Sequence, residues 1–384
     1  MSNLGLQGEN GLHFVAVEPA SGPNGTPNST APAPALRLRS AGPALEAAAP
    51  LATGSTPTVS IGDWDGDGGL ALLAGTAEGR FYLSRWTAAG VGQGGFGLPE
   101  ALRAGDGADA AEILVQGGYR TDIQGPSESR WGYTAGQMVD WNGDGLMDLV
   151  ASDNSARSTV YMRRRAPDGT LALSPGVALS LDGLVLHGSW RNGPAAGVIG
   201  GAMALVTSDE QDEAHVYYRV DDYNLQDGGK LLVRDPSSGA LAPIATNYLS
   251  AGATGRLKYA LVDFDRDGLV DLLLGTCGYH AVPNNITGLP ACSGGHGCRE
   301  NGATALLMRQ RRHASPAQLV FEWPEWLSVR GHRISYGGQE LGIAPIDVGD
   351  GNVSLILATP GGRHVFWAAA DISASKTEPP LKPR

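Results

Sequence analysis

Apolar residues along this chain fall in short runs that end on Gly or Asp. Tyr259-Ala260-Leu261-Val262 and Leu272-Leu273-Leu274-Gly275 flank one polar stretch, and Met138-Val139 and Leu149-Val150-Ala151 flank another. Runs of this length between turn residues predict short strands buried on both faces. Val160-Tyr161-Met162 and His215-Val216-Tyr217-Tyr218 predict further, half-buried strands. The 56 glycines and 24 prolines are too much punctuation for a helical protein and suit many strands joined by turns. At 384 residues and 42% apolar, the chain can bury a large core, and all-β folds of this size often form one domain. No stretch of 18 apolar residues exists, so no membrane-spanning helix is expected.

The polar stretches between the runs repeat. Asp63-Trp64-Asp65-Gly66-Asp67-Gly68-Gly69-Leu70-Ala71 aligns with Asp140-Trp141-Asn142-Gly143-Asp144-Gly145-Leu146-Met147-Asp148 and with Asp263-Phe264-Asp265-Arg266-Asp267-Gly268-Leu269-Val270-Asp271. The shared pattern is D-x-[DN]-x-D-G-x-x-D-L. A shorter copy begins at Asp347, with Asp350 inside it and Ser354 in place of the last acid. A bare copy from Gly197 keeps the flanking strands and has no carboxylate. The copies are 77, 57, 66 and 84 residues apart.

No such repeat can bury both faces of its own sheet, whereas stacking around an axis does so and leaves only short edges. The expected fold is therefore all-β: a β-propeller of four-stranded blades, five by the loop copies, six or seven if others have lost the motif. His13-Phe14-Val15-Ala16-Val17 precedes every loop, so N- and C-terminal strands are expected to close the last blade together. Compact blades take about 40–45 residues. The longer spacing here predicts insertions near 95–125, 221–229 and 277–302 in a single domain over 1–374, with a disordered tail at 375–384.

Alternating acids curled around a Gly at the sixth position suit calcium, a hard cation that takes about 6–8 oxygen ligands. The predicted ligands are Asp140, Asn142, Asp144, the Leu146 carbonyl and Asp148; Asp263, Asp265, Asp267, the Leu269 carbonyl and Asp271; and Asp63, Asp65, Asp67 and the Gly69 carbonyl. Asp347 and Asp350 form a poorer set. Ala71 removes the ninth-position ligand from the first loop, and the bare copy is expected to bind nothing. An EF-hand is excluded, because position twelve is Ala74, Ala151 or Leu274 rather than Glu. One such loop alone reads equally well as an Asp-Gly turn capping its own N–H groups. Three copies with acids crowded into nine residues favour a cation, because the acids otherwise repel one another. Twelve acids lie in these loops, against a net charge of −11, so the acidity needs no separate function. The same acidity argues against nucleic acid as a partner.

At these residues the chain resembles the FG-GAP/VCBS repeat family, found in integrin α-subunit propellers and in many surface proteins. The Phe-Gly and Gly-Ala-Pro signatures are poorly kept, so the VCBS-like branch fits better. The resemblance, over roughly 50–375, implies calcium in the loop between the first two strands of a blade, in a structural role. That family includes adhesion modules, lectins and some polysaccharide lyases, so it leaves the activity open.

The resulting expectation is a calcium-stabilised, non-catalytic binding module for a glycan or protein, a monomer or a piece of a larger protein. The alternative is a carbohydrate-active enzyme, lyase or hydrolase, on the same scaffold. Convergent Arg, His, Tyr or carboxylate side chains outside the calcium loops would favour the enzyme. Arg130, Arg191, Arg256 and Arg333 each precede a loop. At strand entrances they could ring one mouth of the axis and hold an anionic sugar; the plainer expectation is solvated strand-end arginines. Cys277, Cys292 and Cys298 share one insertion with His280 and His296, with a disulfide expected ahead of a zinc site. Sequons at Asn24, Asn28 and Asn285 and the calcium loops favour an extracellular or secretory setting, although no signal sequence is visible.

Overall fold

The computed structural model describes residues 58–87, 95–105, 107–115, 131–154, 157–166, 169–245, 256–276, 303–315, 318–336, 340–347, 352–359 and 364–376. It also describes the backbone of strands Leu12–Pro19, Leu36–Glu46 and Ala49–Pro50. Among these residues the regular structure is strand, apart from two three-residue 3-10 turns, and no helix is long and apolar enough to cross a membrane.

Apart from a three-stranded sheet of Leu12–Pro19, Leu36–Glu46 and Ala49–Pro50 and small accessory sheets, the described strands form five antiparallel units in chain order. Unit 1 runs Thr58–Gly62, Ala71–Gly75, Phe81–Thr87 and Glu100–Ala101. Unit 2 runs Ala135–Val139, Asp148–Ser152, Ser158–Tyr161 and Val177–Ala178. Unit 3 runs Ala195–Ile199, Ala202–Ser208, Ala214–Arg219 and Asn224–Lys230. Unit 4 runs Lys258–Val262, Asp271–Gly275, Ala303–Met308 and Glu325–Val329. Unit 5 runs Gly342–Asp347, Val353–Ala358 and His364–Trp367.

Each first strand lies beside the first strands of two other units, in the order 1-2-3-4-5 and back to 1. The cores follow the same order, because every second strand is buried on both faces and its alternate side chains serve different neighbours. Leu73 packs with Leu149 between units 1 and 2, whereas Leu72 packs with Ile356 between units 1 and 5. Val150 packs with Leu205 between units 2 and 3, Leu272 joins Val206 between 3 and 4, and Leu273 joins Leu355 between 4 and 5. The starts of four first strands, Thr58, Ala135, Lys258 and Gly342, and Pro194 just before the first strand of unit 3 gather around a cavity of only about 10 Å³, room for a single water.

Two expectations need correction. Residues 221–229 are not an insertion: Asn224–Lys230 is the fourth strand of unit 3. Regular structure extends past 374, to Lys376, because strand Ile372–Lys376 pairs with Glu325–Val329. That pairing places strand Ile372–Lys376 on unit 4, while N-terminal strand Leu12–Pro19 runs beside the third strand of unit 5, so the first and last segments of the chain meet at unit 5. Of the stretch 95–125, Glu100–Ala101 is the fourth strand of unit 1, and Arg103–Ala104 joins a small sheet that bridges units 1 and 2. The 277–302 stretch, with its cysteines and histidines, and the sequon asparagines lie outside the described residues.

Candidate functional site

The Asp-rich loops connect first and second strands. In units 1, 2 and 4 the last strand pairs before the loop are Gly62 with Ala71, Val139 with Asp148 and Val262 with Asp271, so eight residues must turn the chain. The sixth-position glycines, Gly68, Gly145 and Gly268, take φ of 84°, 86° and 83°, the left-handed region that favours Gly. In unit 3, Ile199 pairs with Ala202, and Gly200-Gly201 alone make the turn, as a two-residue hairpin with both φ positive. The bare copy therefore has no loop in which to seat an ion.

The three full loops share a path but differ in their carboxylates. In unit 4, oxygens of Asp263, Asp265 and Asp267 all lie within 4.8 Å of one another. Asp263 Oδ2 accepts from Gly268 N at 3.0 Å, while its Oδ1 is buried and meets no donor. A buried carboxylate oxygen without a partner is costly, and a hard cation seated among three such groups would satisfy it. The residues present therefore fit a divalent cation. Outside this cluster, Arg309 Nη1 lies 2.8 Å from Asp265 Oδ2, and Arg311 Nη1 lies 3.5 Å from Asp267 Oδ2.

In unit 2 both oxygens of Asp140 are occupied, by Gly143 N at 2.9 Å and Gly145 N at 3.0 Å. Asn142 Nδ2 donates to Asp144 Oδ2, and Asp144 N donates to Asn142 Oδ1, each at 3.0 Å. Leu146 N donates to Asp144 Oδ1 at 2.8 Å. In unit 1, Asp63 accepts from Gly66, Asp67 and Gly68 N–H groups, and Gly69 N donates to Asp67 Oδ1 at 2.7 Å. Asp65 turns instead to Arg85 at 2.6 Å and Arg163 at 3.2 Å. Burial opposes its charge, yet these two guanidinium groups hold its carboxyl below the usual range. Of the fifth loop, Asp347 is described only as the backbone end of its strand, and Asp350 lies outside the described residues.

The ninth-position acids do a different job. Asp148 and Asp271 are fully buried. Asp148 accepts from Trp141 N at 3.0 Å and Arg163 N at 2.6 Å; Asp271 accepts from Phe264 N at 3.0 Å and Gln310 N at 2.8 Å. Each ties the start of its loop to the residue two positions past its unit's third strand, and Asp271 stands outside the converging trio. Burial, only partly offset by these N–H groups, pushes both carboxyls up to about 6.

At the opposite end, where the first strands begin, a second set of ionised side chains meets. Glu340, just before the first strand of unit 5, is 4% exposed. Its carboxylate lies 2.9 Å from Lys258 Nζ, 3.3 Å from Arg191 Nη1 and 3.9 Å from Arg256 Nε. All three cations are buried. Arg191 lies over the Tyr133 ring, 3.3 Å from its centroid, and Arg191 and Arg256 lie 4.3 and 4.5 Å from that of Trp190. Tyr133, Arg191 and Arg256 have φ of 44°, 53° and 63°, three of the seven described non-glycine residues with positive φ. Burial opposes the Glu340 charge, but Lys258, Arg191 and Arg256 outweigh it and hold the carboxyl below the usual range. Trp190 Nε1 is buried and meets no acceptor.

The plain expectation of solvated arginines thus fails for Arg191 and Arg256, which sit at strand entrances. Arg333 is exposed on a hairpin beside Trp326, and Arg130 lies outside the described residues. Sequence reasoning missed Tyr133, Trp190, Lys258 and Glu340. Their shared signal was position, a few residues before a predicted first strand.

No family model matches the chain, and no curated protein matches it. Solved structures do. The AofleA protein of Arthrobotrys oligospora, crystallised as a triple arginine-to-alanine mutant, is 8% identical over 86% of this chain and 88% of its own, with a TM-score of 0.41. A GH43_1 enzyme of Xanthomonas citri is 12% identical over 87% of this chain and 94% of its own, also with a TM-score of 0.41.

Proposed function

We propose that this chain is a five-bladed, calcium-stabilised β-propeller of the FG-GAP/VCBS type that serves as a non-catalytic binding module, with a glycan as its ligand class. The cyclic order of first strands and of cores supports the propeller. The observation that carries the calcium reading is the buried, donor-free Oδ1 of Asp263 inside a trio of convergent carboxylates. Loops of this kind stay filled where calcium is abundant, which suits an extracellular setting. Calorimetric titration of the chelator-treated protein tests the reading: calcium should bind with at least one site removed by Asp263→Asn. Absence of calcium heat, together with a melting curve that chelator leaves unmoved, would falsify it.

A second reading, a carbohydrate-active enzyme, draws on the cluster of Glu340, Lys258, Arg191 and Arg256 with Tyr133 and Trp190, hereafter the mouth cluster, since Arg, Lys, Tyr and carboxylate groups converge there outside the loops. Glycoside hydrolysis needs two carboxyl groups flanking the bond. Among the described residues of that cluster, Glu340 is the one carboxylate, and it is ionised and paired. That composition favours binding over hydrolysis and leaves elimination chemistry as the enzymatic option. Release of unsaturated products from a uronate polymer, lost on Lys258→Met, would decide for the enzyme.

A further inference from the structure

We propose that the mouth cluster is the ligand subsite of this module and takes a carboxylate-bearing saccharide, with Glu340 holding the seat of the ligand's carboxylate until it is displaced. The inference rests on the binding-module reading above and names its ligand chemistry.

Three units build the cluster around one anionic group. Unit 4 supplies Arg256 and Lys258, the approach to unit 3 supplies Arg191 and Trp190, and the approach to unit 5 supplies Glu340. Guanidinium and ammonium groups around a carboxylate are recognition chemistry for that group, whether it belongs to the chain or to a ligand. As a stabilising device the cluster is a poor choice. Withdrawing four ionised groups from water is expensive, and apolar side chains of similar size often hold a core as well. The backbone adds to the cost, because Tyr133, Arg191 and Arg256 all adopt left-handed φ beside it. Strain of this kind gathers at ligand clamps and active sites.

Two further features point to a saccharide rather than a bare anion. Tyr133 and Trp190 bring aromatic surface to the cations, the mixture of apolar wall and few polar groups that organic ligands need. Trp190 also carries a buried Nε1–H that meets no acceptor, and a ring hydroxyl or carboxylate oxygen would supply one.

An internal carboxylate sets the expected affinities. A ligand that binds only when Glu340 has swung away is weakened by the fraction of molecules in that state. Removing the Glu340 charge should therefore tighten acidic ligands. A neutral saccharide cannot replace the lost carboxylate and should be rejected.

The experiment titrates the calcium-saturated full chain with trigalacturonate, with galactotriose of the same linkage and with inorganic phosphate, by calorimetry and tryptophan fluorescence. Trigalacturonate should bind the wild type, bind Glu340→Gln at least tenfold more tightly, and bind Lys258→Met and Arg256→Gln at least tenfold more weakly. Galactotriose should give no heat, phosphate should bind at least tenfold more weakly than trigalacturonate, and Trp190→Phe should remove the fluorescence change. Should Glu340→Gln fail to fold, the wild type and Lys258→Met decide alone, through the rise in melting temperature with trigalacturonate. Equal binding of galactotriose or phosphate, indifference of the affinity to Lys258→Met, or no trigalacturonate binding by any folded form would overturn the proposal. A protein that binds calcium but not trigalacturonate sinks this inference alone, and one that binds no calcium sinks the module reading instead.

Discussion

Loop 263–271 and the mouth cluster sit at opposite ends of the same first strand, Lys258–Val262, and their charges are arranged in opposite ways. At the loop, three carboxylates converge and one buried oxygen has no donor. At the mouth, three cations already surround a carboxylate supplied by the chain. The loop thus leaves a carboxylate oxygen without a donor, whereas the cluster already balances its cations with Glu340. The three loop carboxylates come from within five consecutive residues, so local turn geometry assembles them. The mouth draws on residues up to 149 positions apart, which only the association of units can bring together.

Breaking the mouth should cost the most stability. Glu340→Gln leaves three buried cations around a neutral amide, and losing one partner of a buried ion network typically costs about 3–5 kcal/mol. Urea unfolding at neutral pH should show that loss. Because Glu340 is held below its ordinary range when folded, its contribution is present above that range and disappears as pH falls through the depressed value. The variant should therefore have a flatter acid limb, and an unchanged limb would show that the cluster does not hold the charge.

Calcium removal comes next. At calcium about 100 times Kd, one site contributes roughly 2.7 kcal/mol, which for a chain of this size is a few degrees in Tm. Chelator should lower Tm by that order, and Asp263→Asn should remove more of the shift than Asp140→Asn. The reason is that Asp140 already fills both oxygens with backbone N–H groups, whereas Asp263 does not. Equal effects of the two variants would mean that calcium reorganises both loops alike.

A smaller change should sharpen the loop. Arg309 and Arg311 oppose a cation by pairing with Asp265 and Asp267. Replacing both with Gln should strengthen calcium binding by up to about fivefold, the size of partly exposed ion pairs near 1 kcal/mol. Weaker binding would assign the arginines to holding the loop in shape.

The smallest effect belongs to an ion contact within unit 3. His215 is bonded to Asp209 at 3.2 Å and to Asp227 at 2.7 Å, and its ring stacks on Tyr217. Burial opposes its charge, but the two aspartates outweigh it and raise its protonation range. The stabilisation is full below the ordinary histidine range near 6.5 and fades as pH rises through the raised value. Asp227 is 60% exposed, so screening keeps the effect small. Urea midpoints at pH 5.5 and 8.5 should differ in that direction, and His215→Gln should remove the difference.

Much of the strand pattern could be read directly. Asp263 to Asp271 announced a turn between two buried strands, and Gly68, Gly145 and Gly268 announced left-handed residues, because both follow from local sterics. The fourth strand of unit 3 was hidden, since Asn224–Lys230 contains an Asp and two glycines and looks like a loop. Cross-strand pairing with Ala214–Arg219 overrides that weak propensity. The ninth acids were misjudged in one respect. Spacing alone suggested another ligand, and nothing local showed that Asp148 and Asp271 point inward to hold the N–H groups of Arg163 and Gln310.

What the sequence determined by itself was therefore short-range: which runs become strands, where they turn, and which turns carry clustered carboxylates. Periodicity of two and the left-handed turn require only neighbours in the chain. What the tertiary structure alone decided was long-range: the partner unit of each alternate side chain, the pairing of strand Ile372–Lys376 with unit 4, and the meeting of Arg191, Arg256, Lys258 and Glu340. Those outcomes depend on how five sheets bury one another's faces, a packing condition that no single repeat contains.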